Sequence, residues 1–491
     1  MITKIIVLSI YALMIIVIGI LGLRKTKNFN DFFLGGGKVG PWMSAFSYGT
    51  AYFSAVIFIG FAGKVGWAFG LSGLWIAVFN ALVGVMLVWS VMGWKIKKMS
   101  TEYKVSTMSE FLEKRYDCST LKLLSAIVIF IFLIPYSAAV FMGLSYLFEI
   151  SLGIPYIYVL VLMGSFTAFY IILGGYKSMA MIDMIFGIIM SVGVVLLFYF
   201  TTQKGGGVTN ITDSLAAMEP KLTKMIGPPG WWPLFALVFL TSIAPFAMPQ
   251  LVQKFYAIKG KKSIRIGTIA STFFAFLIGG VAYYLGSTTR FFINPESAPA
   301  IFNAEGIPDF DKLMPELLTN VIPSSLSVII LLLILSASMS TLAALVLISS
   351  SSFSKDFFAG FINKKITDKK LTLMMRYMSA VFVLLAVLFA AIELDVIVEI
   401  LGISWGALGS FFLGPFIWGL FNKKVHRYGA FASAVGGLGI CLGLYFGGMS
   451  SPEAGTIGML ASFAINPIFS FIIPYKKKQE NTADMPEINM N

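Results

Sequence analysis

This sequence is short of charge, of histidine and of cysteine, and each shortage excludes something. Only 12% of its 491 residues are charged, about half the share usual in a soluble domain. A chain so poor in charge cannot cover a globular surface with polar groups, so a soluble enzyme or nucleic-acid-binding domain is not expected. The one histidine, His426, lies in a basic loop (NKKVHRYG) without a histidine partner and reads as a solvated loop residue. The two cysteines, Cys118 and Cys441, are far apart and lack metal-ligand spacing, which argues against a disulfide framework or a zinc site. No Walker-type glycine loop is present, so no ATP-driven pump of that kind is encoded. The GGG runs at 35–37 and 205–207 precede no soluble βα unit. An intramembrane enzyme needs a nucleophile with a base, or paired carboxylates. The apolar interior offers one acid, Asp183, and no histidine, so catalysis is not expected.

What is abundant is apolar residue, 58% of the chain, with a mean hydropathy of +0.86. Stretches long enough to cross roughly 30 Å of hydrocarbon fall at 5–23, 41–63, 70–94, 121–148, 154–174, 179–202, 231–256, 266–292, 324–350, 372–392, 396–421, 428–447 and 454–474. They are numbered below as the first to the thirteenth span. The first lacks an A-x-A-like cleavage site and is followed by Arg24, Lys25 and Lys27, so it reads as a retained span rather than a signal peptide. The expected class is an all-α membrane protein of about thirteen helices, in contact with the lipid bilayer.

The net charge of +13 does not point to nucleic acid, because the Lys and Arg residues cluster between apolar runs. With the N-terminus outside, only Lys4, Lys64, Lys204, Lys221, Lys224, Arg290 and Lys312 lie outside, leaving 29 of the 36 basic residues inside. That is the positive-inside pattern, and it predicts a multi-pass protein of the cell (inner) membrane with its C-terminus in the cytoplasm. Residues 1–475 then form a single transmembrane domain, and the polar tail 476–491 is expected to be disordered. The exterior loops 203–230 and 293–323 cap a vestibule or merely connect spans.

Function in a membrane protein concentrates where apolar helices carry breaks, hydroxyls or charge. The second span, PWMSAFSYGTAYFSAVIFIGFAG, holds a run of small and hydroxyl residues around Gly49. An unwound turn there would free carbonyl oxygens suited to a hard cation; tight helix packing on small residues explains the same composition. The seventh span has Pro245 and Pro249 at its middle. An interrupted span five spans after another is the signature of an inverted-repeat transporter, with repeats at 41–202 and 231–421; an ordinary proline kink is the alternative. In the ninth span Ser336, Ser338, Ser340 and Thr341 cluster. Residues three and four apart share a helix face, so the Ala337 carbonyl and the Ser340 and Thr341 hydroxyls can converge. Back-bonding of each hydroxyl to its own helix is the alternative.

Asp183, in the sixth span, is the lone carboxylate well inside a span. Such a charge needs a partner or a water-filled cavity, and it has a coupling or gating role or forms an interfacial pair with Lys177. Glu393, Asp395 and Glu399, near the outer ends of the tenth and eleventh spans, read as solvated.

These features have a familiar order. DFFLGGGKVGPW (31–42) ahead of TAYFSA, TMSEFLEKRY (107–116), GGYKSMAMID (174–183), MPQLVQKFYA (248–257), SASMST (336–341) and LGPFIWGLFNKKVHRYGA (413–430) together resemble the sodium/solute symporter family over residues 5–474. The resemblance implies a LeuT-type five-plus-five inverted-repeat fold with one extra N-terminal and two extra C-terminal helices. It implies sodium as coupling ion, no other cofactor or metal, and import of a small organic solute by alternating access, with a monomer as the functional unit. Carried over residue by residue, the sodium ligands are the carbonyls of Thr50, Phe53 and Ala337 and the hydroxyls of Ser340 and Thr341. A second sodium site of some members uses two further hydroxyls together with the aspartate of the sixth span; this chain keeps Asp183 but has Ala343 and Ala344 at the hydroxyl positions, so one sodium per cycle is expected. The family pocket lies between the second, third, seventh and eleventh spans, which names Tyr52, Ser54, Trp75, Phe246, Gln250 and Trp405 as substrate candidates, for a small carboxylate or an amino acid. Proton coupling through Asp183 and a non-transporting solute sensor stay open as alternatives.

Overall fold

The computed structural model describes residues 2–25, 28–320, 322–323 and 326–473, and among them the chain is helical nearly throughout. Among the described residues the β structure is confined to two isolated bridges, Val39 with Ile258 and Phe302 with Pro308. Helix is what apolar segments of this length must form in lipid, since every backbone donor and acceptor has to be satisfied within the segment. The tail expected to be disordered, 476–491, lies outside the described residues.

Among the described residues twelve helical runs are long and apolar enough to cross a membrane. The difference from the expected thirteen has a local cause. The second span is broken, so its first half, Pro41–Tyr52, has only 12 residues. Its second half, through Ile57–Phe61 and Ala62–Phe69, runs on into the third span. Between them Gly70, at φ +59° and ψ −140°, turns the chain at Gly70–Gly73. A Cβ on Gly70 would meet the Leu222 carbonyl oxygen at 2.3 Å, so the loop at 203–230 presses directly on this turn. That loop is more than a connection.

Burial orders the bundle. The ninth and eleventh spans are 83% and 89% buried over their most apolar stretch, against 17% for the first and 33% for each of the last two. The ninth and eleventh therefore form the centre. The twelfth and thirteenth spans, Arg427–Phe446 and Ser451–Ile472, pack on each other and on the eleventh, Ile397–Phe421. Glycines set the tightest crossing. A Cβ on Gly286 in the eighth span would lie 1.9 Å from the Ala62 carbonyl oxygen, and one on Gly66 only 2.0 Å from the Gly286 carbonyl carbon. Such contact between backbones is what small residues permit in lipid.

Two short helices occupy corresponding places, Met108–Tyr116 after the third span and Phe310–Asn320 after the eighth. The first is opened by a capping box, Thr107 with Glu110. It is tied to the end of the ninth-span helix: Thr107 Oγ1 donates to Asp356 Oδ1 at 2.7 Å, and Lys355 pairs with Glu110 at 2.8 Å. The second carries the buried Asp311, whose Oδ2 accepts from Ile397 N–H at 2.9 Å at the start of the eleventh span. On the same side as Met108–Tyr116, Val39 and the segment after the seventh span are joined backbone to backbone. Val39 N–H donates to the Ala257 carbonyl at 3.0 Å and Lys259 N–H to the Val39 carbonyl at 3.0 Å.

Candidate functional site

The second span breaks at Phe53–Ser54. Phe53 leaves helical geometry at φ −93°, ψ +78°. Ser54 then restarts the chain, its hydroxyl accepting from Val56 N–H at 3.2 Å and its carbonyl from Ile57 N–H at 3.1 Å. A helix ending here leaves carbonyls near its C-terminus without intrahelical donors. The break is not at Gly49, which stays helical; a Cβ there would meet Phe274 at 2.6 Å. Gly49 thus serves packing, and the opening lies one turn further on. The seventh span breaks as its prolines predict. Trp231–Ile243 ends in the tight turn Ala244–Phe246, and Pro249 opens the second half, Pro249–Ala257, as its first residue, where a missing N–H costs nothing.

The ninth span crosses the first break. Ser340 Oγ donates to Thr50 Oγ1 at 2.7 Å, and Thr341 Oγ1 donates to the Thr50 carbonyl at 3.1 Å. Thr50, Phe53, Ala337, Ser340 and Thr341 are all buried. Their side chains and carbonyls bring oxygen without formal charge, the donor set that suits a hard cation. The other two hydroxyls of the cluster are engaged elsewhere. Ser338 bonds back to the Ile334 carbonyl at 2.8 Å, and Ser336 meets the Tyr11 hydroxyl of the first span at 3.3 Å. Back-bonding therefore accounts for Ser338 and not for Ser340 or Thr341.

Asp183 is buried, and Lys177 is exposed. The interfacial pair with Lys177 is replaced by another arrangement. Ser47 Oγ donates to Asp183 Oδ2 at 2.5 Å and accepts from Lys254 Nζ at 2.9 Å. Lys254, on the second half of the seventh span, is fully buried, with its ammonium 5.1 Å from the Tyr176 ring centre. Sequence reasoning missed Lys254. The signal was present, a lysine inside the otherwise uncharged stretch 231–256. Glu399 and Glu393 are not simply solvated either. Glu399 pairs with Lys64 at 2.9 Å, and Glu393 accepts from the Tyr146 hydroxyl at 2.5 Å.

Beside the two breaks lies a narrow cavity lined by Tyr52, Ser54, Asn80, Tyr136, Thr241, Tyr283, Leu401 and Trp405, with no charged side chain in its wall. Tyr52 stacks on Trp405 at 5.9 Å and donates its hydroxyl to the Thr241 carbonyl at 2.6 Å. Ser242 Oγ donates to Asn80 Oδ1 at 2.9 Å. Three of the six substrate candidates, Tyr52, Ser54 and Trp405, meet here. Trp75 does not: it is partly exposed and donates its indole N–H to the Met225 carbonyl at 3.2 Å, holding the loop at 203–230. Phe246 and Gln250 sit on the seventh-span break outside the lining, and Gln250 is buried with neither side-chain polar atom bonded. Asn80, Tyr136, Thr241 and Tyr283 are the polar lining residues that sequence reasoning missed. Polar groups isolated in long apolar spans were their only signal.

A family model, the sodium:solute symporter family, matches residues 32–437. Relatives include the osmoregulated proline transporter OpuE of Bacillus subtilis, 26% identical and matched over 98% of this chain and 96% of its own. The sodium/proline symporter of Staphylococcus aureus strain JH9 is also 26% identical, over 88% of this chain and 84% of its own. Among solved structures, a sodium-coupled sialic acid symporter in its outward-open state superposes with a TM-score of 0.80 at 19% identity, over 97% of this chain and 99% of that one. The nucleobase-cation-symport transporter Mhp1 in a closed conformation gives 0.54 at 10% identity, over 90% and 94%. These likenesses show an all-helical fold of the LeuT type.

Proposed function

The chain belongs to the sodium:solute symporter family and is a sodium-coupled symporter of a small solute; from that premise we propose where the ion and the solute bind. Sodium sits between the second-span break and the ninth span, on the carbonyls of Thr50, Phe53 and Ala337 and the hydroxyls of Ser340 and Thr341. The observation that carries this reading is that both hydroxyls leave their own helix and reach Thr50 across the bundle. The solute occupies the neighbouring cavity. Its wall offers hydroxyls, an amide and stacked aromatic rings but no fixed charge, which suits a small zwitterion whose amine lies over an aromatic face. An amino acid of proline's size fits that chemistry, in keeping with the proline transporters among the relatives.

With residues 41–202 and 231–421 as inverted repeats, the two breaks become hinges at matching places. Sodium completes the cavity wall at Phe53 and Ser54, the halves rock, and ion and solute leave on the other side. If the basic loops are cytoplasmic, with the N-terminus outside the cell membrane, an inward-negative potential drives each sodium by about 2.3 kcal/mol per 100 mV. The functional unit is one chain.

Uptake of radiolabelled proline into proteoliposomes under an imposed sodium gradient tests this. Ser340→Ala and Thr341→Ala are each expected to raise the half-activating sodium concentration about tenfold, the equivalent of one lost ligand. Uptake driven by a pH gradient alone, indifferent to sodium and to both substitutions, would instead mark proton coupling. Displacement by small monocarboxylates but not by proline would reassign the solute.

A further inference from the structure

We propose that the small cavity beneath the helix Met108–Tyr116 is a weak sodium site, a waypoint for the ion on the side of the basic loops. This rests on the reading of sodium at Thr50, Ser340 and Thr341. The cavity has about 10 Å³ of free space, room for one water-sized guest. Its polar wall is made of oxygens: Gln253 and Tyr256 from the second half of the seventh span, Ser351, Ser352 and Asp356 from the end of the ninth-span helix, and Thr107. Two of these groups have nothing to bond. Gln253 gives its Nε2 to the Phe33 carbonyl at 2.9 Å, which leaves Oε1 without a donor, and the Tyr256 hydroxyl has no partner. Both side chains are buried, where an unmatched polar atom is costly. Ser351 and Ser352 donate to the Ile348 and Ala126 carbonyls, each at 3.0 Å, so their oxygens still have lone pairs to offer.

Charge points the same way. Lys355 pairs with Glu110 and Lys122 with Glu113, each at 2.8 Å. Asp356 is buried, bonded to the Thr107 hydroxyl, and is the carboxylate left over, with no ion-pair partner among the described residues. One buried negative charge in excess calls for one monovalent cation, and neutral oxygens around a single carboxylate suit a hard one. The helix sets the place. Ser351 and Ser352 each follow Ser340 and Thr341 by eleven residues, about three turns, so the two pairs share one face roughly 16 Å apart. An ion released from the first pair toward the basic loops meets the second along that face. The same ion visits both in turn, so one sodium per cycle is kept.

The test is sodium-dependent thermal stabilisation of detergent-solubilised protein, with choline chloride holding ionic strength constant. Ser340→Ala/Thr341→Ala is expected to raise the half-stabilising sodium concentration about tenfold or more and to leave a weak response. Adding Asp356→Asn should remove that remainder. Adding Gln253→Met or Tyr256→Phe instead should raise its midpoint about threefold or more. In otherwise wild-type protein, Asp356→Asn should keep the strong phase. Asp356→Asn retains an oxygen for the Thr107 hydroxyl; where it cannot be purified, the Gln253 and Tyr256 variants, which leave that bond untouched, decide alone. A Ser340→Ala/Thr341→Ala protein without any sodium response overturns the inference, and is the result if Asp356 carries a proton instead. A weak response that survives Asp356→Asn, or is unmoved by both neutral variants, overturns it too. A midpoint unmoved by Ser340→Ala/Thr341→Ala overturns the underlying sodium reading instead.

Discussion

At the scale of the residue, hydroxyl position decides which serine bonds outside its own helix. Ser338 and Ser340 are two apart in the same helix, yet only Ser340 crosses to Thr50. Ser338→Ala is the matched control for Ser340→Ala, and its sodium activation is expected to be unchanged. Asp311 makes a second prediction. Burial pushes its carboxyl up to about 7, against the stabilising Ile397 N–H; Asp309 and Asp395 raise it further and Lys64 lowers it. A carboxyl raised in the fold favours its protonated form there. Its contribution is fully present below the ordinary value of 3.8 and is lost as pH rises through about 7. Asp311→Asn is therefore expected to gain stability over wild type between pH 4 and 8, by on the order of a few kcal/mol. Melting curves of the two proteins in detergent across that range check it, and a constant difference would sink the idea. The convergence of the Ser340 and Thr341 hydroxyls was legible in sequence because they stand three and four residues after Ala337. Lys254 was not, because a lysine near the end of an apolar run ordinarily snorkels to the interface. Only the break at Ala244–Met248 shows that the last half-helix carries it inward.

At the scale of the element, proline alone does not mark a broken helix. Pro135, Pro415 and Pro467 all sit inside helices that continue past them. Pro245 and Pro249 coincide with a real interruption because two prolines four apart remove neighbouring donors from the same turn. The pairing of interrupted spans was legible from this, but the location of the first break was not. Gly49 drew the eye as the weakest helix former, whereas its role is to admit Phe274. Ser54, named from sequence only as a substrate candidate, caps the restarted helix. Tight crossings give the element-scale prediction. Gly286→Ala must displace the backbone at Ala62 and is expected to cost at least about 1–3 kcal/mol, read as a lower melting temperature or lost monodisperse yield. Gly280→Ala, on the same helix with nothing within 4 Å of its Cβ, is expected to be neutral. Equal behaviour of the two would count against the crossing.

At the scale of the whole molecule, hydropathy carried most of the architecture, including a boundary between the second and third spans at 63–70, which the structure places at Gly70–Gly73. The turn at Gly70–Gly73 is short and apolar on both sides, so composition marks the reversal only to within a few residues. The side assignment is open to a direct check. In a cysteine-free background, a cysteine at the exposed position of Lys98 should react with a membrane-impermeant maleimide only in inside-out vesicles. One at the exposed position of Glu305 should react only in right-side-out vesicles. The reverse pattern would invert the topology while leaving the binding site intact.

The bridge through Val39 bears on how such a molecule can move at all. Two main-chain hydrogen bonds, Val39 to Ala257 and Lys259 to Val39, moor the start of one half-helix to the end of the other. Lys97 adds a third strand to the mooring by donating to the Tyr256 carbonyl at 2.8 Å. Because backbone donors are involved, no single side-chain substitution unties it. The half-helices Pro41–Tyr52 and Pro249–Ala257 are thus yoked at one end, while the inner tip of the first is held separately through Thr50 and Tyr52. Any motion at that end has to carry both half-helices together, like a hinged pair of shutters closed by one bolt.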